Sequence, residues 1–285
     1  MNQPGAILFH PARTRKRRER AARHFATHDF LLRQAATSLA ESLESMTYAF
    51  PRVLEVGASG LLRQHVAKRP GTEHYWACDI SPGMPGTQLV VNNELLPLAP
   101  DMLDAVLSAG GMHWINDLPG ALVQIRQALK PDGLFMATLP GPETLRELRQ
   151  VFAAVDADRS GGITPRVAPF PDVRDAGGLL QRAGFALPVV DRDIVTVSYA
   201  NLFALMDDLR GSGQVNMLQQ QLQHFTPRGF FIEAAKRYAD QFSDAEGRIT
   251  ATFEIVTMTA WKPAANQQQP SKRGSGQVSL TQFLN

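Results

Sequence analysis

From Pro51 onward, short apolar runs alternate with stretches of helical character, and this rhythm restricts the fold more than any single motif. RVLEVG, HYWACD, TQLVVN, LDAVLSAG and GLFMATLP read as strands bounded by glycine, proline or polar residues. Between them the spacing predicts helices over 60–69, 117–129 and 143–155, the second entered at Asn116 and stopped by Pro131-Asp132-Gly133. Strands alternating with helices imply an α/β architecture on a largely parallel sheet. Further on, SGGITPRVAPFPD at 160–172 predicts a shaped loop near a ligand mouth. A helix at 172–183, an extended segment at 188–199, helices at 201–209 and 227–242, and a last strand, ITATFEIVTMTAW, follow, so the sheet should close with a hairpin-like pair. Residues 24–46, with Phe25, Leu31, Leu32, Ala35, Leu39 and Leu43, predict an amphipathic helix. The expected organisation is a basic arm and helix over 1–48, a main domain over 49–262 with helical insertions near 141–183 and 200–247, and a polar tail over 263–285.

The single cysteine, Cys78, excludes a disulfide or a cysteine-rich metal site within one chain. No apolar run reaches the roughly 18–20 residues of a bilayer span, and MNQPGAILFHP lacks the order of a secretory signal. These features predict a soluble intracellular protein. The net charge of +2 hides an asymmetry: Arg13, Arg15, Lys16, Arg17, Arg18, Arg20 and Arg23 face only Glu19, which gives this stretch +6 and the remainder −4. The run is either a solvated helix face or a docking arm for an acidic protein or an anionic membrane surface. Nucleic acid is disfavoured, because the run lacks interleaved aromatics.

In an open parallel sheet, ligands bind beyond the carboxyl ends of the strands where the strand order reverses. The first strand ends in VLEVGASGLL, where Gly57 and Gly60 can take positive φ and Glu55 can orient a polar ligand. The second ends at Asp79, 24 positions after Glu55, near the spacing of ~20 at which an acid accepts from a ribose diol. Two such acids suggest a nucleoside-containing cofactor; the other reading of Asp79 is a cap on the turn that follows.

Strand one, Asp79-Ile80-Ser81-Pro82, NNELLPL and LDAVLS occur in an order and spacing similar to those of class I S-adenosylmethionine-dependent methyltransferases. With GMHWINDLPGALVQIRQALKPDGLFMATLPGPETLRELR, GGITPRVAPFPDVRDAGGLLQRAGF and LFALMDDLRGSG, the chain resembles, over roughly 12–262, the family of the respiratory complex I assembly factor 5, regarded as a protein-arginine hydroxylase. A more distant similarity is to malonyl-acyl-carrier-protein carboxyl methyltransferases. The resemblance implies a Rossmann-like class I methyltransferase fold, a mostly parallel seven-stranded sheet with helices on both faces and an N-terminal helical extension. It also implies S-adenosyl-L-methionine as cofactor and a protein client, a complex I subunit, and a place in the cytoplasm in a bacterium or in the mitochondrial matrix in a eukaryote. Carried over by position, Glu55, Gly57 and Gly60 belong to the glycine-rich loop, Asp79 and Ile80 to the ribose contact, Asn92 and Asn93 to the adenine side, and Ser108 and Ala109 to the methionine portion. Three departures stand out: Ser59 and Leu61 where the pattern alternates glycine, Asn92 where it has aspartate, and SPGMPG, too short and too rich in breakers for the usual helix. Together they motivate a third reading, a non-catalytic assembly factor.

His113 and Trp114 follow the fourth strand, as proton acceptor and pocket wall or as packing under the next helix. Glu143 is the candidate carboxylate beside an arginine substrate, or simply an acid favourable to a helix N-terminus. Carboxyl methylation instead needs a basic residue in the pocket, for which Arg166 or Arg210 is available. Hydroxylation needs activated oxygen, and the histidines at 10, 24, 28, 65, 74, 113 and 224 include no H-x-D or H-x-E pair, so no metal site is expected from the sequence.

Overall fold

The structure is a computed structural model that describes residues 7–220 and 225–268; His224 and the terminal VSLTQFLN lie outside them. The chain opens with α1 (Pro11–Ala21) and α2 (Phe30–Glu44), joined by a tight 3-10 turn at Phe25–Thr27. The sheet is then laid down by β1 (Arg52–Val56), β2 (His74–Asp79), β3 (Leu89–Val90), β4 (Leu103–Ala109) and β5 (Leu129–Pro140), with α3 (Arg63–Val66) after β1 and α4 (Leu118–Ala128) before β5. The distal part adds α5 (Arg146–Ser160), α6 (Val173–Arg182), β6 (Ala186–Tyr199), α7 (Leu202–Gly211), α8 (Arg228–Phe242) and β7 (Ile249–Trp261).

The seven strands lie in the order β3-β2-β1-β4-β5-β7-β6, parallel except for β7, which runs antiparallel to both neighbours. The closing hairpin and the fold class match the sequence expectation. The order reverses between β1 and β4, so the crevice at their carboxyl ends is the topological switch point.

Alternation along the strands divides the core into two layers. Val53, Ala105, Leu107, Leu134 and Met136 pack with Leu32, Ala36, Leu39 and Leu43 of α2. Leu54, Val56, Val106, Phe135 and Ala137 pack with Leu122 and Ile125 of α4 and Leu180 of α6. A third cluster joins Leu148, Phe152 and Val155 of α5 to Leu205 of α7, Phe230 and Tyr238 of α8, and Phe253 of β7. It stands over the carboxyl end of β5 and walls the far side of the crevice. Caps fix where the helices start: Asn201 accepts from the N–H groups of Phe203 and Ala204, Asp117 from Gly120, and Asp172 from Asp175.

Three local expectations are corrected. The helix expected over 60–69 shrinks to one turn at 63–66. The helix expected from Glu143 begins at Arg146, because Gly141 and Leu145 donate their N–H groups to Glu254 and Thr252 of β7 and pin 141–145 as a turn. The basic run is neither a solvated face nor a free arm along its whole length: Thr14, Arg18 and Ala21 of α1 are buried. Phe9, beyond the start of α1, packs with Ala168, Met217 and Leu218 and contacts Trp114 edge to face at 5.2 Å.

Candidate functional site

At the switch point the backbones of the two loops touch. Gly57 has a φ of +80°, and a Cβ on Gly111 would lie 2.5 Å from Gly57 Cα and 2.8 Å from the Val56 carbonyl oxygen. This approach leaves the floor of the crevice made of main chain, the surface that lets backbone N–H groups reach a ligand. Gly60 serves a different contact: a Cβ on Gly86 would stand 2.8 Å from its Cα, so the breaker-rich SPGMPG turn packs on the glycine loop in place of a helix.

Asp79 ends β2 fully buried, and its partner is an arginine of the basic run. Arg18 Nε donates to Asp79 Oδ1 at 3.0 Å and Nη2 to Oδ2 at 2.6 Å, a bidentate pair in which both side chains are at most 5% exposed. Asp79 also accepts from the Ser81 N–H at 2.8 Å, so the capping reading of this acid holds as well. Glu55 does not face the crevice. Its carboxyl accepts from Tyr75 Oη and from the Ser59 N–H, so it braces the glycine-rich loop from within.

Burial raises the Glu55 carboxyl above its ordinary value of 4.5, and the nearby Asp79 adds to the rise while the Tyr75 and Ser59 hydrogen bonds oppose it. A carboxyl raised on folding stabilises the protein while it is protonated; that contribution is complete below the unfolded value and is lost as pH rises through the folded one. Glu55→Gln is therefore expected to lose less stability than the wild type between about pH 5 and about pH 8. Urea denaturation at both pH values checks this, and equal pH slopes would sink it.

Above the floor, Pro11, Thr14 and Arg18 of α1 face Ile80, Asn92, Asn93, Glu94, Trp114 and Ile115 across a cleft of about 30 Å³, room for only a water or two. Two atoms of its lining residues, Asn93 Oδ1 and Trp114 Nε1, are buried without a hydrogen-bond partner among the described residues, as are Ser108 Oγ and Thr138 Oγ1 near the ends of β4 and β5, whereas folded chains pair nearly all such atoms. These polar atoms and the Asp79 carboxylate suit a polar ligand, and a nucleoside needs more room than the cleft offers while Arg18 holds Asp79.

A second chamber of about 90 Å³ adjoins the ends of β4 and β5, lined by Leu32, Gly110, His113, Leu139, Phe170 and Leu209 among others. Asp208 and Glu254 stand in its wall. Asp208 receives His28 Nδ1 at 2.9 Å and the Tyr199 hydroxyl at 2.8 Å, and Glu254 Oε2 accepts from the Glu143 N–H at 2.8 Å. His113 is bonded through Nε2 to Gln214 Oε1 at 2.7 Å, and burial pushes its pKa down to about 3. It is neutral at physiological pH and too weak a base to hold a substrate proton, so it walls the chamber beside Trp114, 4.2 Å away.

The other candidates sit elsewhere. Glu143 forms a half-exposed pair with Arg146 at 2.9 Å and lines neither chamber, whereas Glu254 lines the second. Arg166 is held by Asp156 at 2.8 Å and lies 4.0 Å from the Phe230 ring centre, and Arg210 pairs with Asp207 at 3.0 Å. Both already have acids and neither is set aside for a substrate carboxylate. Ala109 lies buried behind the chamber floor. Arg18, Asp208 and Glu254 escaped the sequence reading. A lone carboxylate inside the apolar strand ITATFEIVTMTAW is the signal that marks Glu254, whereas nothing in the run of arginines distinguishes Arg18.

Comparison with known proteins agrees with this geometry. The methyltransferase domain family matches residues 54–137, which run from β1 to β5. The chain is 36% identical over 265 residues to a zebrafish protein named arginine-hydroxylase NDUFAF5, mitochondrial, covering 89% of this chain and 81% of that one. It is 33% identical over 273 residues to a malonyl-[acyl-carrier protein] O-methyltransferase of Xylella fastidiosa, covering 90% of both. The fold also aligns with the YcgJ protein of Bacillus subtilis at a TM-score of 0.54 and 14% identity, over 81% of this chain and 99% of that one. With the strand order, the switch-point glycines and the acid that ends β2, these matches show that the chain belongs to the class I S-adenosylmethionine-dependent methyltransferase superfamily, in the family of the NDUFAF5 arginine hydroxylases.

Proposed function

We propose that this protein binds S-adenosylmethionine in the cleft beneath α1 and modifies an arginine side chain of a protein subunit during respiratory complex I assembly. The observation that carries the cofactor half is the buried Asp79 carboxylate at the end of β2, beside a cleft whose lining residues Asn93 and Trp114 carry unpartnered polar atoms. Asp79 would accept from the ribose hydroxyls, Ile80 and Ile115 would flank the base, Asn92 and Asn93 would offer amides, and the Gly57–Gly111 floor would admit the rest. When bound, the cofactor supplies a methyl group activated on a sulfonium.

The substrate half rests on the second chamber and on the relative's name. An apolar cavity with two carboxylates in its wall suits a long aliphatic stem that ends in a cation. Asp208, which holds His28 and Tyr199, and Glu254, which Arg192 approaches at 3.7 Å, would give up part of those contacts to orient the guanidinium, while Phe170, Leu209 and Trp114 exclude water. The same carboxylates argue against carboxyl methylation of a carrier-bound acid, since they would repel its anion.

Calorimetric titration with S-adenosylmethionine and S-adenosylhomocysteine tests the cofactor half, with mass spectrometry of the purified protein to detect ligand already bound. Micromolar binding lost in Asp79→Ala is the expected result. Incubating the loaded protein with complex I subunits and reading arginine peptides for one added methyl or one added oxygen then identifies the reaction. Absence of binding by ligand-free protein would favour a purely structural assembly factor.

A further inference from the structure

A third cavity, far larger than the other two, opens beside them at about 900 Å³ and shares His28, Trp114, Leu145, Phe170, Leu209 and Gln214 with the arginine chamber. Its depth is apolar, with Leu148, Phe152, Val167 and Met206 in the lining, while its wall carries Arg17, Arg20, Arg23, Arg166 and Arg210 against the single acid Asp207. Asp207 is already paired with Arg210, and Arg166 with Asp156. The Arg20 and Arg23 side chains are exposed and have no hydrogen-bond or ion-pair partner among the described residues. Burial, together with the neighbouring charges of Arg13 and Arg20, lowers the Arg17 pKa. The wall thus holds cations that repel one another and that an anion would relieve.

We infer that this mouth is a recognition subsite for an acidic stretch of extended polypeptide, whose carboxylates meet Arg20 and Arg23 while a neighbouring side chain enters the arginine chamber. The inference rests on the arginine-modifying reading above and adds to it the chemistry around the modified residue. Three features favour a peptide. The arginines ring a concavity, whereas a membrane surface is met by a flat basic face. The volume is several times that of the side-chain chamber and is continuous with it, as a chain passing through requires. The two exposed arginines sit on α1 and just after it and border the same cavity as Pro165 and Val167, so a strand laid in it would meet cations at the rim and apolar residues in the depth. Nucleic acid would need stacking platforms beside the cations, and the rings of Trp114, Phe152, Phe170 and Phe231 in the lining are half-buried or buried, which leaves His24 as the exposed ring among the described residues.

The test uses the full chain and the double variant Arg20→Gln/Arg23→Gln, which removes no buried group and no ion pair. A fluorescent peptide with one arginine between glutamates is titrated at low and high salt, beside its glutamine counterpart, phosphatidylserine vesicles and a single-stranded RNA. The expected result is about tenfold tighter binding of the glutamate peptide than of the glutamine one, weakened by salt. The variant should lose about five- to tenfold of that affinity with an unchanged melting temperature. Equal binding of the two peptides, an unaffected variant, or binding confined to vesicles or RNA overturns the subsite. Titration of both proteins with S-adenosylmethionine separates the two claims: cofactor binding without peptide selectivity removes the subsite alone, and peptide selectivity without cofactor binding removes the enzymatic reading and leaves the subsite.

Discussion

Replacing Arg18 with methionine should tighten S-adenosylmethionine binding by one to two orders of magnitude while lowering the stability of the ligand-free protein. Arg18 and Asp79 are a buried bidentate pair, and removing one member of such a pair costs about 3–5 kcal/mol because the other charge stays buried alone. In the wild type, a ribose diol must displace a guanidinium before it can use the carboxylate. In the variant that competitor is gone, and ligand hydrogen bonds recover part of the penalty, each ~1.4 kcal/mol recovered being worth a factor of ten in affinity. Methionine keeps most of the apolar stem, so α1 should stay packed through Ala21 and the neighbouring Phe25. Calorimetric titration and thermal melts with and without ligand check both effects, and the ligand-induced rise in melting temperature should be larger in the variant. Weaker binding in Arg18→Met would instead mean that Arg18 is itself a ligand group. Asp79→Ala is the mirror experiment: it leaves Arg18 buried and unpaired, and it should lose both stability and binding.

The pair also links the two halves of the site. Pro11, Thr14 and Arg18, at helical spacings of three and four, form the face of α1 turned onto the cofactor cleft. Arg17 and Arg20 lie on the face turned to the large cavity, and Arg17 donates to the Asn216 carbonyl across it. A client that holds the outer face thus acts on the same rigid element that occupies Asp79. The seven basic residues near the N-terminus consequently divide by position: Arg15, Lys16, Arg20 and Arg23 are exposed and can be changed with little cost in stability, Arg13 and Arg17 tie α1 to the carbonyls of Leu218 and Asn216, and Arg18 cannot be changed without leaving Asp79 buried alone.

The sheet was legible because its signals are local. Apolar runs of five to eight residues, broken by glycine and proline, set the positions of β1, β2, β4 and β5, and the acid at 79 marked the ligand end. Glu55 was located and its orientation misjudged, since which face a strand residue takes depends on what lies beneath it, here the Tyr75 hydroxyl twenty positions away. Glu143 stands out in the sequence more than Glu254 does, for a similar reason. Nearness to strand five is visible in the sequence, whereas the antiparallel pairing that sets Glu254 beside Pro140 and the 141–145 turn is a contact across more than a hundred residues. The role of Arg18 depends on α1 folding back over the strand ends, a docking that no periodicity within 13–23 encodes.

Gly111→Ala should abolish cofactor binding and cost about 1–3 kcal/mol of stability, the usual range for forcing a group into a packed site. The added methyl would lie 2.5 Å from Gly57 Cα and within 2.9 Å of two carbonyl oxygens, so main chain must move, with no flexible side chain able to yield. Because β1 and β4 are hydrogen-bonded neighbours, parting their ends reshapes the floor on which a ligand would rest. Gly178→Ala is the matched control. It lies in α6 with nothing within 4 Å of its added Cβ, and a glycine in a helix interior is less favourable than alanine by roughly 0.5–1 kcal/mol. Chemical denaturation and titration of the two variants side by side should show opposite changes in stability and a loss of binding in Gly111→Ala alone. If both variants bound equally well, the backbone contact at the switch point would be a packing feature without a share in the site.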